Sequence, residues 1–297
     1  MKNTNSSVHS FTAPLLNSAQ HEKTTNAPSV RSTCSNNTLP KSTFGHSYLN
    51  CLVLNADTLS NKMHELQSLL SQDTNLDIII INEVKPKNHR YQMAAVDFAL
   101  EGYSTFCNNL DSNTGRGLII YTKHYLEASP LDLASEFSEY VSVKIPLKKH
   151  KMLTLVGIYK SPDTTDDNET RLFELIKEAS NFSSHVLITG DFNYPGIDWD
   201  TLQPYAHSTK NTPFLECVRD SYLWQHVTSP TRGRLGQNPS TLDLILTNEE
   251  QMVENLNMLS PLGKKVITLA SNFISYATKK KYLSQEEYFS MTRESTT

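Results

Sequence analysis

Apolar residues along this 297-residue chain fall into short dense runs separated by polar punctuation, and the first such run begins only after residue 45. Residues 1–45 are rich in Ser, Thr and Asn with isolated apolar positions, too few to offset the entropy of ordering them, so a disordered arm is expected. Leu49, Cys51, Leu52, Val53 and Leu54 then predict a core strand ending in Asn55-Ala56-Asp57. Ser60 is placed to cap a helix whose apolar face is Met63, Leu66, Leu69 and Leu70, closing near Ser71. Ile78, Ile79, Ile80 and Ile81 are continuous and β-branched, the pattern of a strand buried on both faces, and the run ends in Asn82-Glu83-Val84-Lys85. Residues 91–100 predict a helix or a covering loop, and 103–107 a short strand.

The second half repeats the theme. Gly115-Arg116-Gly117 leads into the apolar Leu118-Ile119-Ile120-Tyr121. Residues 140–145 alternate apolar and polar and 152–159 are mostly apolar, which predicts a hairpin turning through 146–150. Asp166 with Glu169 makes a cap-like start to a helix whose face is Leu172, Phe173, Leu175, Ile176 and Ala179. Val186, Leu187 and Ile188 predict a buried strand, which Gly190 is expected to end by a sharp turn. Asp191 and Asn193 are two apart, so an extended backbone through Phe192 would set them on one side. Beyond them come a short helical stretch at 213–218, a glycine-rich basic loop at 232–237, and a strand at 241–247 with Asp243 inside it. An acid in an apolar strand is costly without a partner.

Carboxylates and amides thus recur just past buried strands: Asn55, Asp57, Glu83, Asp191 and Asn193. An acceptor-only group beside an amide at the carboxyl end of a strand suits the holding of a water and a metal near a phosphate. Taken singly, each motif reads equally well as an ordinary Asx/Pro/Gly turn. Arg116 beside a strand entrance is a candidate phosphate contact, and Arg232 and Arg234 are candidate contacts to a nucleic-acid backbone, or simply parts of a solvated loop. A net charge of -4 gives no global basic signature, so any such contact is local. Cys34, Cys51, Cys107 and Cys217 lack metal or redox spacing and read as reduced thiols of an intracellular protein, nucleus or cytoplasm left open. No signal-peptide core precedes them, no run nears the roughly 18 apolar residues of a membrane span, and the sequons at Asn36, Asn168 and Asn181 read as chance. Nothing in the chain marks an obligate protein partner.

The motifs Asn55-Ala56-Asp57-Thr58-Leu59, Asn82-Glu83-Val84-Lys85, Gly190-Asp191-Phe192-Asn193-Tyr194-Pro195 and Thr231-Arg232 leading to Thr241-Leu242-Asp243 occur in an order that resembles the endonuclease/exonuclease/phosphatase superfamily. Their wording is most similar to endonuclease domains of non-LTR retrotransposons, which accompany a reverse transcriptase. The resemblance implies an α/β fold, a four-layer α/β/β/α sandwich of the deoxyribonuclease-I-like type, over residues 46–264. It further implies phosphodiester hydrolysis in DNA with Mg²⁺, or Mn²⁺, held by Glu83 and Asp57. Asn55 and Tyr159 would contact the phosphate, Asp191 would deprotonate the attacking water, and Asn193 would orient it. One departure stands out. The family ends on Ser-Asp-His, whose histidine pairs with the acid at Asp243, whereas this chain runs Lys265-Val266-Ile267-Thr268 and has neither Asp nor His after Asp243. The C-terminal end of the fold is therefore expected to be incomplete, with 265–297 a divergent tail in which 266–276 fits a strand or a helix. The expected activity is impaired, and the competing expectation is an inactive retroelement remnant that still binds nucleic acid. Phosphatase or lipid phosphodiesterase activity is a weaker alternative.

Overall fold

The computed structural model describes residues 47–72, 75–86, 93–111, 115–182, 184–205, 210–233, 239–259 and 268–275. These lie within one unit, Thr43–Thr297. The expected arm at 1–45 and Arg234 fall outside the described residues. In chain order the elements are β1 (Ser47–Asn55), α1 (Met63–Gln72), β2 (Ile78–Asn82), β3 (Tyr103–Asn108), β4 (Leu118–Lys123), β5 (Ser129–Pro130), β6 (Tyr140–Pro146) and β7 (Met152–Tyr159). There follow α2 (Asp166–Ser180), β8 (His185–Asp191), β9 (Ile197–Asp198), β10 (Gln203–Pro204), α3 (Asn211–Asp220), β11 (Trp224–Gln225), β12 (Asp243–Thr247), β13 (Val253–Leu259) and β14 (Thr268–Ser275).

Two six-stranded sheets result, in the orders β13-β14-β1-β2-β4-β3 and β11-β12-β8-β7-β6-β5, with β9 and β10 forming a separate hairpin. Each sheet contains one parallel pair, β1 with β2 and β7 with β8, and α1 and α2 are the respective crossovers. Side-chain alternation sorts the apolar runs into layers. Leu49, Cys51 and Val53 of β1 and Ile78 and Ile80 of β2 share one buried cluster with Leu153 and Leu155 of β7, Leu187 of β8 and Ile245 of β12. The intervening residues Leu52, Leu54, Ile79 and Ile81 pack outward with Leu66 of α1. On the other sheet Val156, Ile158, Val186, Ile188, Leu244 and Leu246 pack with Leu172, Leu175 and Ile176 of α2 and Phe214 and Leu215 of α3. The order helix, sheet, sheet, helices is the expected four-layer sandwich. It explains why the strand runs are apolar at every position: both faces of each central strand are covered, and each fully buried Ile or Leu contributes roughly 1.5–3 kcal/mol.

Several local expectations change. The α2 cap is Thr165, whose side chain accepts from the Asn168 N–H at 3.3 Å, with Asp166 inside the helix. Within 91–100 the described element is one 3₁₀ turn, Ala95–Phe98. Gly190 does not end its strand, since β8 runs through it to Asp191. The chain beyond residue 264, set apart as a tail, contributes β14, which pairs antiparallel with both β1 and β13 inside the first sheet. The C-terminal end of that sheet is thus filled by a strand.

One half-buried histidine gives the fold an acid limb. His226 follows β11, its N–H donates to the Ile245 carbonyl and its Nε2 lies 2.7 Å from Thr247 Oγ1, whose hydroxyl donates to Glu249 O. Burial lowers its pKa to about 4 from 6.5. A histidine depressed in the folded state leaves stability untouched above the unfolded pKa and removes it as pH falls from about 6.5 towards 4. His226→Gln keeps a donor for Thr247 and removes the titration, so urea unfolding at pH 5 relative to pH 7.5 should show a smaller loss than the parent. Equal losses in the two proteins would show that His226 carries none of it.

Candidate active site

The intersheet layer is apolar through its middle and turns polar at one end. On β1 the inward alternation Leu49, Cys51, Val53 reaches Asn55, and on β7 Leu153, Leu155 and Gly157 lead to Tyr159. In the second sheet Tyr159 is the register partner of Asp191, which in turn pairs with Asp243. Three neighbouring strands therefore set a phenol and two carboxylates side by side. Asn55 joins the sheets across this end, its Nδ2 donating to Asp191 Oδ2 at 3.3 Å.

Asp57 and Glu83 sit in the loops after β1 and β2. Those loops zip onto each other: the N–H groups of Ala56, Thr58 and Leu59 donate to the carbonyls of Asn82, Glu83 and Val84. On its other side Val84 and Lys85 donate to the carbonyls of Gly117 and Arg116. Asp57 and Glu83 hold left-handed backbones, φ 40° and 55°, as does Asn193 at φ 51°. Such angles are uncommon for Asp and Glu and persist where surrounding structure enforces them, often at functional sites. The two carboxylates converge on one guanidinium. Arg116 Nη2 bonds Asp57 Oδ1 at 2.8 Å, and Nη1 bonds Glu83 Oε2.

Asp191 is wholly buried. Its Oδ1 accepts from the Asn193 N–H at 3.2 Å, an Asx-type turn, so Asn193 reaches the site by a tight turn and not by continued extension. Phe192 packs outward among the helices as expected. The Asn193 amide donates to the Lys160 carbonyl at 2.7 Å, and the Lys160 N–H donates to the Asp191 carbonyl at 2.8 Å. Arg232 Nη2 bonds Asp191 Oδ2 at 2.8 Å and lies 3.6 Å from Glu83 Oε1. The basic loop closes on itself through paired Arg232 and Ser240 backbones, and Thr231 Oγ1 accepts from the N–H groups of Leu242 and Asp243 at 3.0 and 3.1 Å. Asp243 Oδ2 is buried without a hydrogen bond among the described residues.

Burial raises the pKa of Asp191, with Asp243 adding to the rise and Arg232 opposing it. Burial likewise raises Asp243, against the pull of Thr231 and Arg232. Tyr159 is raised by burial and then by Glu83 and Asp191, so its hydroxyl stays protonated as a donor.

Asn55, Asp57, Glu83, Arg116, Tyr159, Asp191, Asn193, Arg232 and Asp243 are thus brought to one end of the sandwich, while Arg234 lies outside the described residues. Lys160 was not foreseen. It is buried, its ammonium 3.2 Å from Glu169 and 4.3 Å from the Tyr194 ring centroid, and burial lowers its pKa against the pull of Glu169. Its position directly after Tyr159 was the only signal. Asn82 was also missed: it is buried in register with Asn55, and neither amide atom is hydrogen-bonded among the described residues. No described histidine replaces the absent one. His226 neighbours Thr247 and His185 pairs with Glu249 at 2.8 Å, at the far ends of β12 and β8, about 13 and 20 Å of strand from Asp243 and Asp191.

Two six-stranded sheets packed face to face, helices outside and acids at one end of the interface, define the deoxyribonuclease-I-like architecture. Residues 153–263 match the family model described as Endonuclease-reverse transcriptase. Among solved structures the chain is similar to the endonuclease domain of TRAS1, a telomere-specific non-LTR retrotransposon, with a TM-score of 0.54 and 14% identity over 76% of this chain and 98% of that one. It is similar to the AP endonuclease LMAP from Leishmania major, TM-score 0.59 and 13% identity over 76% and 88% of the two chains. It is also similar to the 3' phosphatase NExo from Neisseria, an Asp-to-Asn variant bound to product DNA hairpin, TM-score 0.56 and 14% identity over 76% and 99%. No curated protein sequence matches the chain. Among the described residues no helix is long and apolar enough to cross a membrane.

Proposed function

We propose that this chain is a divalent-metal-dependent phosphodiesterase acting on DNA, of the kind that accompanies retrotransposon reverse transcriptases. The observation that carries the reading is the convergence of Asn55, Tyr159, Asp191 and Asn193 beside Asp57 and Glu83 at one end of the intersheet layer. The site gathers four carboxylates, Asp57, Glu83, Asp191 and Asp243, against two guanidiniums. That balance repels a phosphate until a further cation joins it. The oxygens of Asp57 and Glu83 fit such a cation, because Arg116 already bridges them and so marks a cation-sized point between them. Hard oxygen donors from only two carboxylates suit Mg²⁺, or Mn²⁺, which keeps several waters and takes further oxygens from a phosphate. When bound there, the ion supplies charge neutralisation and a template for the phosphate.

The protein groups divide the remaining tasks. Asp191 accepts the proton of the attacking water, and Asn193, tied to Asp191 and to the Lys160 carbonyl, orients that water. The Asn55 amide and the Tyr159 hydroxyl donate to phosphoryl oxygens, where charge grows as the nucleophile attacks. The test has two arms. Supercoiled plasmid should be nicked with Mg²⁺ and not with EDTA. Titration with Mn²⁺ followed by electron paramagnetic resonance should show binding that weakens about 10-fold in Glu83→Gln, which removes one anionic oxygen donor. Unchanged Mn²⁺ affinity in that variant would strike Glu83 from the ligand set. A second reading, a nucleic-acid-binding remnant without turnover, is favoured by one observation: Asp243 Oδ2 has no partner among the described residues where the family's histidine belongs. Plasmid retarded on a gel but never nicked, with Mn²⁺ bound, would select it.

A further inference from the structure

We propose that Arg232 is a catalytic residue, its guanidinium supplying to the scissile phosphate the positive hydrogen-bond donor that the family takes from its terminal histidine. The inference rests on the phosphodiesterase reading. Its basis is where the guanidinium lies. Arg232 was expected as a contact to a nucleic-acid backbone or as part of a solvated loop, but Nη2 is 2.8 Å from Asp191 Oδ2 and 3.6 Å from Glu83 Oε1. It therefore spans the general base and a residue assigned to the metal. Its other two nitrogens, Nη1 and Nε, make no hydrogen bond among the described residues, and its side chain is 30% exposed. Donors remain for an incoming anion, and so does a route for one.

The second observation is the unpartnered Oδ2 of Asp243. It is buried without a hydrogen bond among the described residues, and Asp243 lies directly across the β8–β12 ladder from Asp191. Two buried carboxylates side by side both stay ionised only with a cation near them. Among the described residues Arg232 is the cation whose charge acts on Asp191, Asp243, Glu83 and Tyr159 together. The loop is built to hold it still: the paired Arg232 and Ser240 backbones and the doubly accepting Thr231 hydroxyl fix the residue's main chain against β12. A donor fixed before the reaction stabilises developing charge without reorganisation.

In the step assigned here the water oxygen bonds to phosphorus and the ester oxygen leaves. The water proton passes to Asp191. The departing alkoxide takes its proton from solvent, because a guanidinium gives none up. Arg232 transfers nothing; it donates hydrogen bonds to phosphoryl oxygens as their charge rises. A planar fork delivers two such bonds, which an ammonium delivers less well.

The test compares the parent chain with Arg232→Gln and Arg232→Lys, all shown folded by circular dichroism. Inorganic phosphate binding, read by ³¹P line broadening with Mg²⁺ present, and plasmid nicking are measured on each. Arg232→Gln should weaken phosphate binding and slow nicking about 30-fold, the loss of a charge-assisted donor pair. Arg232→Lys should recover part of both, and added guanidinium chloride should raise the rate of Arg232→Gln well above the same ionic strength of sodium chloride. Phosphate binding unchanged in Arg232→Gln overturns the proposal, whether or not nicking falls, since the arginine would then only support Asp191. A parent that never nicks but binds phosphate through Arg232 defeats the turnover reading and the catalytic role with it, and leaves only the phosphate contact of Arg232 standing. Should Arg232→Gln fail to fold, Arg232→Lys decides alone: undiminished phosphate binding and nicking in it rule out the need for a planar fork.

Discussion

Gly190→Ala is expected to leave the chain largely insoluble, with any soluble fraction destabilised by more than about 4 kcal/mol, among the largest effects single substitutions produce. Gly190 has φ +141°, a conformation that L side chains rarely adopt, and a Cβ built there meets the Ile158 carbonyl oxygen at 1.9 Å. Ile158 is its register partner in the parallel β7–β8 ladder, so the obstacle is main chain and no rotamer change relieves it. Either β7 and β8 part, or Gly190 turns and carries Asp191 with it. A domain's whole stability is about 5–15 kcal/mol, so the first outcome approaches unfolding. The second abolishes the placement of the base. Gly157→Ala is the control. Its added Cβ would meet Leu118 Cδ2 at 3.0 Å and Ile120 Cδ1 at 3.3 Å, side-chain atoms that can shift, and it has no positive φ. Soluble yield and urea midpoint check the pair. A Gly190→Ala protein with a midpoint near that of Gly157→Ala would refute the account.

The glycine also shows what could be read in the sequence and what could not. Its place before Asp191 was legible, but its reason was not: a turn was expected, and the true cause is the close approach of a strand 32 residues earlier in the chain, Ile158 against Gly190. Central strands were legible because burial on both faces leaves an unbroken apolar run, as in Ile78, Ile79, Ile80 and Ile81. The two-residue strands β5, β9, β10 and β11 were not, since an edge pairing that short leaves no periodicity. The candidate site was legible as a set of strand-end polar residues, because inward alternation makes a strand's last inward position the rim of the intersheet layer. Its wiring was illegible. That Arg232 meets Asp191 and Arg116 meets Glu83 depends on loops 41 and 33 residues apart in sequence from those partners, and no local pattern encodes it. The role of β14 was hidden for the opposite reason. Its sequence fits strand or helix, and only the unpaired edge of β1 decides between them.

Placing Ser-Asp-His at Lys265, Val266 and Ile267 is expected to raise the nicking rate by 10²- to 10³-fold, roughly 3–4 kcal/mol of barrier. The site for the graft follows from register. β14 begins at Thr268 opposite Leu54 and runs antiparallel to β1, so the chain enters this strand from the end of the sheet that holds Asn55. A histidine grafted ahead of Thr268 is therefore aimed at the end of the sheet where the Asn55 amide touches Asp191, the neighbour of Asp243. Its ring would give Asp243 Oδ2 the donor it lacks and would present a held imidazolium to the phosphate. Arg232 cannot supply the whole of this, because its guanidinium cannot protonate a leaving alkoxide. Three results are needed together. The graft must nick faster than the parent with unchanged Mn²⁺ affinity, Asp191→Ala must erase the gain, and Asp243→Asn must slow the graft more than it slows the parent, the signature of a coupled pair. A graft that folds, binds Mn²⁺ like the parent and nicks no faster would mean that the missing histidine is not what limits this chain, and that Arg232 or another resident group already fills its place.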